Sequence, residues 1–182
     1  MRTAFIVLAC GLSACSHSEP DVEARNASVA EVAEQVRDAT GEDGFVRPGK
    51  WLSEVTLEDV SAPGMPAQVR EQMQGMMARQ SSYESCLTPE DVKRPKEDFF
   101  AGKDNQCRYE HFTMGGGKID ARMKCSQDGM SQVMEMAGTY SPDAYQMRMT
   151  TKAEGMPAPA SGMSMRMRVD AKRVGECEAK RT

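Results

Sequence analysis

Gly115-Gly116-Gly117 is flanked by two arms, Gln106 to Thr113 and Lys118 to Cys125, and each arm carries a cysteine at its far end. In the second arm Ile119, Ala121, Met123 and Cys125 face one way, while Lys118, Asp120, Arg122 and Lys124 face the other. Period-two alternation broken by glycines predicts a β-hairpin with one apolar and one wet face. Centring the turn on Gly116 places Cys107 opposite Cys125, Tyr109 opposite Met123 and His111 opposite Ala121. Directly opposed residues have Cβ atoms about 4.5–5.5 Å apart, close to the reach of a disulfide. The bridge Cys107–Cys125 then leaves Cys86 to pair with Cys177. A shift of one residue in the turn would undo this, and sequential pairing, Cys86–Cys107 with Cys125–Cys177, is the rival.

The same alternation recurs along the chain. Trp51, Ser53, Val55 and Leu57 share one strand face; Met134, Met136, Gly138 and Tyr140 share another. Ser141-Pro142-Asp143 turns the chain into a strand bearing Tyr145, Met147 and Met149. Gly155, Pro157, Pro159 and Gly162 supply a further turn, and Met163, Met165, Met167 and Val169 alternate with Arg166, Arg168 and Asp170 in the last strand. A short strand is expected around Tyr83 to Leu87, and Thr88-Pro89-Glu90-Asp91 has the form of a helix start. Pro66 opens a helix whose Val69, Met73, Met76 and Met77 form one stripe, weakened by Gly75. Ser28 to Glu31 has capping-box form, and Val29, Val32, Ala33 and Val36 follow at helical spacing. Their apolar face is thin, which predicts a spacer or a weakly docked helix. The class is α+β, β-dominated: an antiparallel meander of about six to seven strands, curled as a curved sheet or half-open barrel. One Met-rich helix packs on it, and the N-terminal helix stands apart.

Composition narrows the function classes. The chain has net charge −4 with its Lys and Arg scattered, which argues against nucleic acid as a partner. Only 5% of residues are aromatic, and Trp51 is the single tryptophan, so the 16 methionines are expected to fill the core. Cysteine spacing shows no CxxC and no Cys/His set of zinc type, so a structural framework is expected from Cys86, Cys107, Cys125 and Cys177.

The first residues read as an address. Arg2 supplies a positive n-region, Ala4 to Leu12 a brief apolar run, and Leu12-Ser13-Ala14-Cys15 a bacterial lipobox. A spanning helix needs about 20 apolar residues, more than this run offers. The expected product is a lipoprotein acylated, with palmitate or a similar chain, on Cys15. Ser16 after that cysteine resembles Gram-negative lipoproteins exported to the inner leaflet of the outer membrane, with the domain in the periplasm. The organisation is then a signal peptide over 1–14, a tether with a short helix over 15–44, one disulfide-stapled domain over 45–178 and a tail over 179–182.

Arg47-Pro48-Gly49-Lys50-Trp51, Cys86-Leu87-Thr88-Pro89-Glu90-Asp91, Cys107, Cys125 and Gly175-Glu176-Cys177 together resemble the bacterial domain of unknown function 3617 family over about residues 45 to 177. The resemblance implies an exported protein, often a lipoprotein; it brings no activity and no catalytic residues.

Four kinds of function are open to such a chain, one of them a purely structural role in which the anchored domain meets another envelope protein through its edge strand or its Lys/Arg-rich wet face. A binding module for an apolar ligand or an envelope partner suits methionine, which is flexible and polarizable; Met73, Met76, Met77, Met163, Met165 and Met167 are its ligand-facing candidates, or plain core. Thioethers also select Cu(I), and Met163, Met165 and Met167 on one strand face, with Met147 and Met149 beside them, make Cu(I) handling the alternative. An enzyme is not expected. His111 is the single histidine beyond the tether, with Glu110 or Asp120 as partner; Glu90-Asp91 and Glu97-Asp98 read as a helix start and solvated loop; no Lys-Ser or Lys-Thr helix follows the glycines to make a phosphate loop. No cofactor and no metal ligand set of ordinary type is expected.

Overall fold

Alternating residues assemble into a single sheet of eight antiparallel strands, in the order β1-β4-β5-β6-β7-β8-β2-β3. The computed structural model describes residues 21–41, 44–77, 81–93, 107–127, 130–154 and 162–178. In chain order the elements are β1 (Val22–Ser28), α1 (Val29–Thr40), β2 (Gly49–Ser61), α2 (Ala67–Met77), β3 (Ser81–Leu87), α3 (Pro89–Lys93), β4 (Cys107–Gly115), β5 (Lys118–Gln127), β6 (Met130–Ser141), β7 (Ala144–Glu154) and β8 (Ser164–Gly175). The signal segment, Cys15, the Pro157–Pro159 turn and the tail lie outside the described residues.

The β4–β5 hairpin turns on two residues rather than three. Gly115 pairs with Lys118, and Gly116 (φ 56°) and Gly117 (φ 70°) both adopt the left-handed backbone that a type I′ turn requires. That turn alone would put Cys107 out of step with Cys125. A β-bulge between Tyr109 and His111 absorbs the extra residue, so Tyr109 meets Met123 and Cys107 meets Cys125 as expected. His111 does not meet Ala121: Phe112 takes that place, and His111 pairs with Arg122. The bulge thus turns both Glu110 and His111 to the wet face and drives Phe112 into the core, where it is 0% exposed.

The expectations for the N-terminal segment are overturned. Residues 22–28, read largely as tether, form the edge strand β1, with Val22 opposite Met114, Ala24 opposite Phe112 and Ala27 opposite Tyr109. This is the strand that raises the count to eight. Asn26, at φ 50°, breaks the alternation of β1 beside the bulge of β4, so Ala24 and Ala27 both point inward. The helix that follows is no spacer. Ser28 Oγ accepts the Glu31 N–H at 3.2 Å and the Ser28 N–H donates to Glu31 at 2.6 Å, closing the capping box. Val29, Val32, Ala33 and Val36 are all buried, Val32 completely. They form one core with β1, β4 and β5 around Tyr109, Phe112, Met114 and Met123.

The Met-striped helix occupies a different place from the one expected. α2 contacts β2, where Gln74 Nε2 donates to Asp59 Oδ1 at 3.1 Å, and Val69 of its stripe is 44% exposed. The side chains of Met73, Met76 and Met77 lie outside the described residues. The cover of the inner face is therefore α1, because valines at positions 1, 4 and 8 of that helix fall on one stripe that matches the small alanines of β1.

Both cysteine pairs stand at disulfide distance. Cys107 and Cys125 have Cα atoms 4.0 Å apart, and Cys86 and Cys177 have Cα atoms 5.5 Å apart. One staples the hairpin near the β1 edge; the other joins the end of edge strand β3 to the segment after β8, across β2. By loop-closure entropy these are worth about 3 and 4–5 kcal/mol, for closed spans of 18 and 91 residues.

The docked helix predicts unequal effects of substitution along it. Val32→Ala is expected to lower the urea-unfolding free energy by about 1–3 kcal/mol, while Glu34→Ala on the exposed side leaves it within error. Equal, negligible effects would return α1 to the role of a spacer.

Candidate functional site

The inner face of the sheet is incompletely covered. Beyond the core under α1, the inner face continues as an apolar groove of about 380 Å³, within the range of small-molecule sites. Ile119 of β5, Met136 and Tyr140 of β6, and Met147 and Met149 of β7 form its floor, and Val169 of β8 continues it. Phe112 and Met114 of β4 close one side and Tyr83 of β3 the other. Among the described residues none that lines it is charged.

Its end wall comes from the chain between α1 and β2. Phe45 packs edge-on against Tyr140, centroids 6.0 Å apart, and touches both core clusters. That loop is held down from several sides. The Arg47 N–H donates to the Pro142 carbonyl at 2.8 Å and the Arg47 guanidinium meets Asp143 at 2.9 Å. Arg173 Nε donates to the Pro48 carbonyl at 2.8 Å. Trp51, 1% exposed, stacks on Tyr145 at 5.7 Å and donates its indole N–H to the Arg47 carbonyl at 3.1 Å. Burial raises the pKa of Tyr145, and a hydrogen bond with Ser53 offsets part of that rise. Burial prevails and keeps a neutral phenol at the rim of an apolar space.

The last-strand methionines sit where the alternation places them in register and not where a sealed core would. Met163, Met165 and Met167 are half-buried, as are Met134, Met136, Met147 and Met149. Val169, at the end of the same stripe, is 9% exposed. Met163, Met165 and Met167 are not among the residues that line the groove; of its lining, sequence reasoning named only Met147 and Met149 for a site, and it left out Phe45, Tyr83, Phe112, Met114, Ile119, Met136, Tyr140, Tyr145 and Val169. The alternation signal existed for Phe112 and Met114, but the bulge displaced it by one position.

The outer face carries charge. Arg122 bridges Glu110 and Glu135, and Arg148 grips Glu58 in a bidentate pair at 2.9 and 3.2 Å. The Arg148 hydrogen bonds hold the Glu58 carboxyl below its ordinary range, and Glu110 raises Arg122. His111 Nε2 lies 2.7 Å from Asp120 Oδ1, and the Asp120 carbonyl accepts the Thr113 hydroxyl at 3.3 Å. The pair faces solvent on the convex side, away from the groove, and reads as a cross-strand polar contact. Among the described residues no three His, Cys, Asp or Glu side chains converge as a metal set.

Residues 46–177 match a family model described as "Protein of unknown function (DUF3617)". The chain belongs to that family. No curated protein and no solved structure matches it. The DUF3617 segment contains β2 to β8, both disulfide pairs and every groove residue except Phe45; β1 and α1 precede it.

Tyr109, packed edge-on against Phe112 at 5.4 Å, gives this core a pH signature. Burial pushes its pKa up from 10.0 to about 12. Between those values the unfolded chain loses a phenolic proton that the folded protein retains, so stability falls as pH rises. The fall is up to about 1.4 kcal/mol per pH unit. Urea titrations at pH 8 and pH 11 should show a smaller loss for Tyr109→Phe than for the wild type; equal losses would place Tyr109 in contact with water.

Proposed function

We propose that this protein is a non-enzymatic envelope lipoprotein whose half-open barrel holds a single acyl chain or similar lipid tail in its concave groove. The observation that carries this reading is the groove itself. It is an uncharged space of about 380 Å³, walled by methionine and aromatic side chains on one side of an otherwise charged sheet. Tyr83 and Phe112 belong to strands near opposite ends of the sheet order, and both line it, which supports a sheet curled around its contents. Methionine walls adapt to a flexible chain because each has several soft rotors. Burying about eight methylenes contributes roughly 6 kcal/mol before ordering costs, which corresponds at best to tens of micromolar.

The lipobox gives the source of such chains. Acylation on Cys15 would hold the domain at the periplasmic surface of the outer membrane's inner leaflet, within reach of lipid tails and of envelope proteins. Among the described residues no helix is long and apolar enough to span a bilayer, and the anchor is covalent lipid in this reading. Radiolabelled palmitate is expected to enter the wild-type protein in a Gram-negative host and to be absent from Cys15→Ser. Labelling that survives that substitution would refute the anchor.

For the groove, the full chain in detergent-free nanodiscs is titrated with a fluorescent fatty acid. Binding is expected in the wild type and in Met147→Leu, which keeps the wall apolar. Met147→Glu places a carboxylate in the groove and is expected to abolish binding without loss of fold. Equal binding by both variants, or none by the wild type, would reject the acyl-chain site.

A further inference from the structure

The strand register creates a row of sulfur atoms that packing alone does not call for. Met136 of β6 pairs with Met149 of β7, and Met149 pairs with Met167 of β8. Three thioether side chains therefore stand side by side on adjacent strands, all on the inner face and all half-buried. Directly opposed residues have Cβ atoms about 4.5–5.5 Å apart, and three rotatable bonds let each sulfur swing toward a common point between the strands. Branched and aromatic residues are the ordinary choice for a pleated face. Beyond residue 15 this chain has leucine and isoleucine at Leu52, Leu57, Leu87 and Ile119 alone, against 16 methionines in the whole sequence.

We propose that Met136, Met149 and Met167 form a three-thioether site for a soft monovalent cation, Cu(I), with Ag(I) as its chemical stand-in. Neutral thioether sulfur is a soft ligand that selects Cu(I) over harder divalent ions. The row offers no carboxylate, imidazole or thiolate, so it lacks the charge that Zn(II) or Cu(II) would need. The four cysteines of the domain are held in two disulfides and do not compete for the ion. Met136 and Met149 line the groove and all three side chains are half-buried, which leaves the ion accessible for exchange with a partner. The site does not depend on the acyl-chain reading, because Cu(I) uptake is read without any lipid present.

The test is an anaerobic titration of the full chain with Cu(I) against a chromophoric Cu(I) chelator. A single equivalent held by sulfur ligands is expected, with X-ray absorption showing no nitrogen or oxygen scatterer from the protein. The triple variant Met136→Leu/Met149→Leu/Met167→Leu is expected to lose that equivalent while keeping the far-UV circular dichroism of the wild type, whereas Met114→Leu retains the ion. Should the triple variant fail to fold, wild-type protein labelled with ¹³C at its methionine methyls is titrated with Ag(I); the methyls of Met136, Met149 and Met167 are expected to shift together. Absence of Cu(I) uptake by the wild type, retention by the folded triple variant, or silver shifts spread over other methionines would each overturn the site.

Discussion

The width of the sheet against the size of its cover governs this structure. Eight strands at about 4.8 Å spacing span roughly 35 Å, whereas a helix of 12 residues is about 18 Å long and about 10 Å across. α1 can therefore shelter about two strands, and it rests on β1 and β4. α2 touches β2 and α3 touches β3. The inner face of β6, β7 and β8 is left with apolar side chains and no helix above them among the described residues. A sheet with such a face can curl on itself or take an occupant, and the groove between Phe45, Tyr83 and Met149 is where both happen in the proposed reading.

Register decides which side chains reach that space. The type I′ turn and the bulge of β4 are each displaced by one residue relative to a simple hairpin, and the displacements cancel at Cys107 and Cys125. Between them the pairing is shifted: Phe112 and Met114 enter the core while Glu110 and His111 go to the convex face. Asn26 repeats the irregularity in β1, so the irregular positions of β1 and β4 lie side by side. At the far edge Gly49 makes close approach necessary: a Cβ there would lie 2.5 Å from the Gly175 carbonyl and from Arg173 Nε, where β2 shifts register against β8. Irregular positions near both ends of the sheet are thus fixed by a disulfide within or beside the same strands, which limits the slippage and open-edge pairing that flat edges invite.

Alternation made most of the fold legible. β2, β5, β6, β7 and β8 lie where period-two runs place them, and the pairings Cys107–Cys125 and Cys86–Cys177 follow from the hairpin despite the wrong turn length. β1 was illegible because its inward residues are Val22, Ala24 and Ala27, small and out of period at Asn26. α1 carried a helix signal, but valine and alanine at its stripe gave no measure of how firmly it docks; Val32 at 0% exposure shows that small side chains seal well against alanines. The groove was half legible. Its methionines stood in the alternation, while Phe45 and Tyr83 reach it only through the path of a loop and the far edge of the sheet, which no local pattern encodes.

The two faces of the sheet divide the chemistry between them. On the outer face three arginines meet carboxylates: Arg148 with Glu58, Arg122 with Glu110 and Glu135, and Arg168 with Asp170 at 2.8 Å. Exposed pairs of this kind contribute little to stability, but they keep their part of that face polar. The methionines of the groove lie on the inner face, within the DUF3617 segment. β1 and α1, outside that segment, shelter Tyr109 and Phe112 and stop short of Met136, Met149 and Met167. The N-terminal addition therefore closes one end of the concave face and, by its limited reach, defines where the open part begins.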